Sequence, residues 1–127
     1  MNASQPPLAV SMGEPAGIGP DLVLRLFAER TALGLPPIVI FGSAGFLRAR
    51  AARLGLDLEL VATTPAEAAA IFPAALPVAE VDGLVGDRPG DPSPVSAPLV
   101  IDAIAQATAS VLSGACRALV TAPIHKH

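Results

Sequence analysis

Two stretches carry residue types from which a ligand site can be built. The first is Gly13-Glu14-Pro15-Ala16-Gly17-Ile18-Gly19-Pro20-Asp21. Glycines at 13, 17 and 19 permit positive φ and a close backbone approach to a ligand. The helix that Pro20 opens would offer unpaired N–H groups to an anion. The G-x-x-x-G-x-G spacing matches neither the dinucleotide fingerprint nor the P-loop, whose lysine is missing. A tight strand–helix turn with a solvated Glu14 accounts for the same residues. The second stretch is Thr121-Ala122-Pro123-Ile124-His125-Lys126. A lysine and a histidine at a strand's carboxyl end could hold a carboxylate or phosphate, or move a proton; a frayed polar terminus is the plainer alternative. His125 and His127 offer two alternating nitrogens, but an open catalytic metal site uses three protein ligands, so no metal ligand is assigned. The candidate cleft residues are therefore Gly13, Glu14, Gly17, Gly19, Thr121, His125 and Lys126, with no catalytic role given to any of them.

The other polar residues read as ordinary structure. Cys116, just past a helix stop, suits a small buried hydrophobe. Asp82, Asp87 and Asp91 lie in a Pro/Gly-rich loop over residues 82–97 and are expected in water. Arg48, Arg50 and Arg53 decorate a helix and are expected to face solvent.

The elements that must position these residues follow from apolar periodicity. Leu8-Ala9-Val10-Ser11-Met12 and Ile38-Val39-Ile40-Phe41 are continuous apolar runs ended by Gly13 and Gly42, and read as buried strands. A helix is expected from about Pro20 to Leu33, with Leu22, Val23, Leu26, Phe27 and Leu33 on one stripe, an Asp21–Arg25 pair and Gly34 as its left-handed stop. Ser43 can cap a second helix whose inner face is Leu47, Ala51 and Leu54, stopped by Gly55. Residues 57–62 alternate as an edge strand would. Thr64-Pro65-Ala66-Glu67 spells a capping box. Leu76–Val81 is a strand that Pro77 relegates to an edge or a strand start. Ser96 precedes a helix marked by Val100, Ile104, Ala107 and Val111 and ended by Gly114. Ala118–Ile124 reads as a central strand. Strands alternating with helices predict an α/β fold with a parallel-rich sheet and flanking helices. Ligands in such sheets bind beyond the strands' carboxyl ends. No helix follows that last strand to cover it, so residues 1–127 are expected to form a single incomplete α/β region, the N-terminal part of a longer protein.

Composition narrows the function classes. The chain has 127 residues, 52% of them hydrophobic and 15% charged, which is too apolar for intrinsic disorder. Eight Lys and Arg against 11 Asp and Glu make no basic stripe, and Trp and Tyr are absent, so no nucleic-acid partner is expected. No apolar run approaches a membrane span, and the start lacks the basic residues of a secretory signal, so a cytoplasmic chain with no membrane partner is the default. The single Cys116 excludes an internal disulfide.

The stretches Met12-Gly13-Glu14-Pro15-Ala16-Gly17-Ile18-Gly19-Pro20 and Ala118-Leu119-Val120-Thr121-Ala122-Pro123-Ile124-His125-Lys126, in this order, resemble the 4-hydroxythreonine-4-phosphate dehydrogenase family of vitamin B6 biosynthesis. Members are far longer, and the resemblance covers their N-terminal portion only. It implies an oxidoreductase that uses NAD or NADP to oxidise the secondary hydroxyl of 4-phosphohydroxy-L-threonine. The β-keto acid then loses carbon dioxide to give 3-amino-2-oxopropyl phosphate. It further implies a divalent metal (Zn, Mg or Co), a small phosphorylated hydroxy-acid substrate and a homodimer. The implied fold is the two-domain one of isocitrate and isopropylmalate dehydrogenases. A Gly-His-Thr-Glu segment, three metal-binding histidines and a basic substrate-binding set follow later in the family pattern, and none lies within residues 1–127, so this part alone is expected to be inactive. A paralogue acting on phosphorylated threonate or erythronate and a non-catalytic remnant domain remain open. An acyltransferase of similar α/β fold, such as a phosphate acetyltransferase, is disfavoured by the paired motifs.

Overall fold

The two continuous apolar runs form neighbouring strands. Leu8–Ser11 (β1) and Ile38–Gly42 (β2) pair in parallel, from Leu8 against Ile38 to Ser11 against Phe41. The structure is a computed structural model that describes residues 6–12, 19–81 and 97–121. Its other strands are Leu60–Ala62 (β3), Leu76–Glu80 (β4) and Ala118–Thr121 (β5). All pair in parallel, in the order β3-β4-β2-β1-β5. The helices are Gly19–Ala28 (α1), Arg30–Leu33 (α2), Ala44–Arg53 (α3), Pro65–Ile71 (α4) and Ala97–Leu112 (α5).

Strand order steps one way from β1 through β2 to β3, then back to β4 and across to β5. Right-handed crossovers therefore place α1 and α3 on one face, with α4 and α5 on the other. The contacts agree: α1 packs on α3, while α5 packs on β1, β2 and β5. Fully buried Ala103 and Ala107 let α5 lie close to the sheet. Val39, Ile40, Leu47, Leu76 and Val78 fill the rest of the core without measurable exposure. Gly34, Gly55 and Gly114 adopt the left-handed φ values of 65°, 74° and 88° expected of helix stops. The expected edge strand β3 is indeed at an edge.

Several sequence expectations are corrected. Of the two places expected for Pro77, the structure takes the strand start and not the edge: β4 is interior, and its ladder to β2 begins only at Val78, beyond the missing N–H. β5, expected to be central, is the outermost strand among the described residues, and Val120 is half exposed. The helix expected over 20–33 breaks at Glu29. There the Arg30 guanidinium donates to the carbonyls of Phe27 (3.0 Å) and Pro73 (2.9 Å) and stacks over the Phe27 ring. α1 turns Val23, Leu24 and Phe27 inward and leaves Leu22 and Leu26 exposed, and Leu33 of α2 is exposed as well. The capping box does not form: Thr64 makes no side-chain cap, and Glu67 accepts from the Thr63 hydroxyl instead. Ser96 and the loop acids Asp82, Asp87 and Asp91 lie outside the described residues.

Candidate functional site

β1 and β5 are neighbours, run in the same direction and end level, with Val10 opposite Val120 and Ser11 opposite Thr121. The stretches that follow them, 13–18 and 122–127, therefore join the sheet at adjacent points of its carboxyl edge. The first of these stretches runs into Gly19, which opens α1 and is buried. Gly19 and Thr121 both line a cavity of about 260 Å³ between α1 and the β1–β5 pair. Its other walls are aliphatic: Leu8, Val10, Ile38 and Val120 from the strands, Leu22, Val23 and Leu26 from α1, and Leu35. Side chains alternate along a strand, so Leu8 and Val10 toward this cavity put Ala9 and Ser11 on the α5 side. Gly13, Glu14, Gly17, His125 and Lys126 lie outside the described residues. Two of the seven candidates are thus brought together around one cavity.

The strongest polar contact near this cavity was expected elsewhere. Arg50 is not solvated but is the largest fully buried side chain, at 1% exposure. Its Nη1 donates to Asp21 Oδ1 at 2.6 Å, and its guanidinium lies 4.9 Å from the Phe46 ring centre. Asp21 is therefore bound across to α3 rather than paired along α1 with Arg25. The sequence signal was Arg50 standing four residues after Phe46 and three after Leu47, on the inward side of α3. Arg48 stays exposed and donates to the Leu60 carbonyl.

Other groups line the same carboxyl edge. Ser43 Oγ accepts from the Phe46 N–H at 3.1 Å, as expected of an N-cap. Glu80, the last residue of β4, accepts from the Ala44 N–H at 3.1 Å. The Ser11 hydroxyl is buried and makes no hydrogen bond within the described structure. At the opposite end of the sheet, just before β5, burial pushes the Cys116 thiol above its ordinary range, against a smaller opposing pull from the Ser110 hydroxyl, so it stays protonated at neutral pH. Among the described residues, no three His, Cys, Asp or Glu side chains are grouped to hold a metal. No described helix is long and apolar enough to cross a membrane.

Comparison with known proteins sets this geometry in a family. The family model described as pyridoxal phosphate biosynthetic protein PdxA matches residues 35–127. A 4-hydroxythreonine-4-phosphate dehydrogenase of Xanthobacter autotrophicus is 42% identical over 120 residues, covering 94% of this chain and 34% of that protein. Its namesake in Methylorubrum extorquens is 38% identical over 128 residues, covering 99% of this chain and 37% of that protein. The crystal structure of the Klebsiella pneumoniae enzyme of that name superposes with a TM-score of 0.78 at 32% identity, covering 96% of this chain and 38% of that one. A terephthalate 1,2-cis-dihydrodiol dehydrogenase from Burkholderia xenovorans shares the fold at a TM-score of 0.68 and 24% identity. The chain thus spans little more than a third of the length of these relatives. With a family match over residues 35–127 and alignments that run nearly end to end, the chain belongs to the family of the pyridoxal phosphate biosynthetic protein PdxA.

Proposed function

We propose that residues 1–127 form the N-terminal α/β region of a cytoplasmic, homodimeric dehydrogenase. Its reaction is the oxidation of 4-phosphohydroxy-L-threonine with NAD or NADP, followed by decarboxylation to 3-amino-2-oxopropyl phosphate. The observation that carries this reading is the name shared by relatives 38–42% identical over at least 94% of the chain. The level carboxyl ends of β1 and β5 support it, because they bring both motif stretches to one edge, where such sheets bind ligands. In this reading Gly13, Glu14, Gly17, Gly19, Thr121, His125 and Lys126 border the substrate or cofactor cleft, and Lys126 faces an anionic group. The complete fold is the two-domain one of the isocitrate dehydrogenases.

The described residues do not by themselves fit a divalent metal or a nicotinamide. They group no three metal ligands, and the cavity wall is aliphatic apart from Gly19 and Thr121. What the described part supplies is an aliphatic wall between α1 and the ends of β1 and β5. The test is to replace the matching third of the Xanthobacter autotrophicus relative by this chain. The substrate, NAD or NADP and a divalent metal are supplied, and reduced cofactor is followed by absorbance. The joined protein should turn over, the same protein with Lys126→Ala should be clearly impaired, and residues 1–127 alone should not exceed a metal-only control. Turnover by residues 1–127 alone, or a Lys126→Ala protein with unchanged kinetics, overturns these assignments.

A further inference from the structure

We propose that Arg50 and Gly42 are positioning residues for the cleft between α1 and the β1–β5 pair, holding the end of β1 and the start of α1 from behind. The claim rests on the reading that this cleft receives substrate or cofactor. Neither residue lines the cavity, so each would act through another.

Gly42 acts through Met12. The Met12 N–H donates to the Phe41 carbonyl at 3.0 Å, and its side chain is fully buried. A Cβ built on Gly42 would lie 2.7 Å from Met12 Cβ and 2.9 Å from its Sδ, closer than real Cβ atoms approach other atoms. Only glycine lets β1 end this tightly against β2. Arg50 acts through Asp21. Its guanidinium has 1% exposure, rests on Phe46 and grips the carboxylate in the first turn of α1 at 2.6 Å. α3 is itself anchored at its N-terminus by Ser43 and by Glu80 of β4. The start of α1 is therefore tied through α3 to β4, and the end of β1 is tied to β2. Only residues 13–18 separate these two fixed points, so their spacing is set by side chains outside the cleft.

The test is residue-level amide exchange on the chain and its variants Arg50→Met, Arg50→Lys, Asp21→Asn and Gly42→Ala. Amides 23–26 report the first turn of α1, Met12 reports the end of β1, and β2 with β4 report global opening. In Arg50→Met and Asp21→Asn, exchange at 23–26 should rise about tenfold relative to β2 and β4. Arg50→Lys should be intermediate, since it keeps the charge but not the planar fork. Gly42→Ala should produce the same local rise at Met12. A uniform rise across the strands and helices, or none at all, overturns the proposal. Were Arg50→Met not to fold, Arg50→Lys and Asp21→Asn give the same reading, because Asp21 is one-third exposed. No substrate enters the measurement, so a failure of the proposed reaction leaves this pattern intact and the two claims fall separately.

Discussion

A hydroxyl inside an apolar layer is unfavourable unless something answers it, and Ser11 Oγ is answered by nothing in the described structure. Leaving such a group buried and unpaired costs about 1–3 kcal/mol. Ser11→Ala should therefore raise the stability of the chain by about 1 kcal/mol in urea unfolding, and a clear loss would show that the hydroxyl has a partner. The buried Cys116 makes a pH-dependent counterpart. Its folded thiol holds its proton more tightly than the ordinary value of 9.0 allows. The neutral thiol's contribution is then fully present below pH 9.0 and is lost as pH rises through the raised value. The unfolding midpoint of the wild type should fall on the alkaline side, and Cys116→Ala should flatten that limb. Residue type alone made Cys116 legible as a small buried hydrophobe. Arg50 was not legible, because a charged side chain on a helix is assigned to water until its partner is known. That partner, Asp21, lies on another helix.

Elements were legible where a local residue dictates a local geometry. Ser43 before α3 is one such case, and its hydroxyl does satisfy the Phe46 N–H. Ser43→Ala should destabilise the chain by about 1 kcal/mol, while Ser43→Gly should cost only a few tenths, measured as shifts in urea midpoint. No loss in Ser43→Ala would mean that the cap contributes nothing to stability. The three left-handed glycines and Pro65 at the start of α4 belong to the same class. Strand order was not legible, since which strand lies beside which is decided by pairings far apart in sequence. Pro77 allowed either an edge or a strand start by a local rule, and only the sheet decides for the start: β4 lies inside, with the proline ahead of the β2 ladder. Hydrophobicity alone made β5 look central. Likewise, Arg30 at the break between α1 and α2 donates to the carbonyl of Pro73, which no window around residue 29 contains. Of the candidate site, the glycine at the helix start and the threonine at the strand end were legible as types; their meeting at one cavity needed the sheet.

At the scale of the whole described chain, one patch of exposed apolar side chains lies on the α1 side of the β1–β5 pair. Leu22, Leu26 and Val120 are 47%, 44% and 48% exposed, and they adjoin the outer edge of β5. An unpaired strand edge beside apolar side chains favours association. The 127-residue chain should self-associate with rising concentration in sedimentation velocity, and Val120→Lys should suppress that association. Monodisperse monomer at every concentration would show that the surface is covered in solution. The same β1–β5 pairing also governs how the chain is born. Leu8 meets Ala118, almost the whole sequence apart, whereas its other partner, Ile38, comes early. Such a distant pairing is slow to close. On a ribosome adding about 5–20 residues per second, one flank of β1 waits roughly 5–20 s for its partner to be synthesised. β1 is thus made well before it is finished, and throughout that interval the nascent chain presents an open β edge that a chaperone can bind.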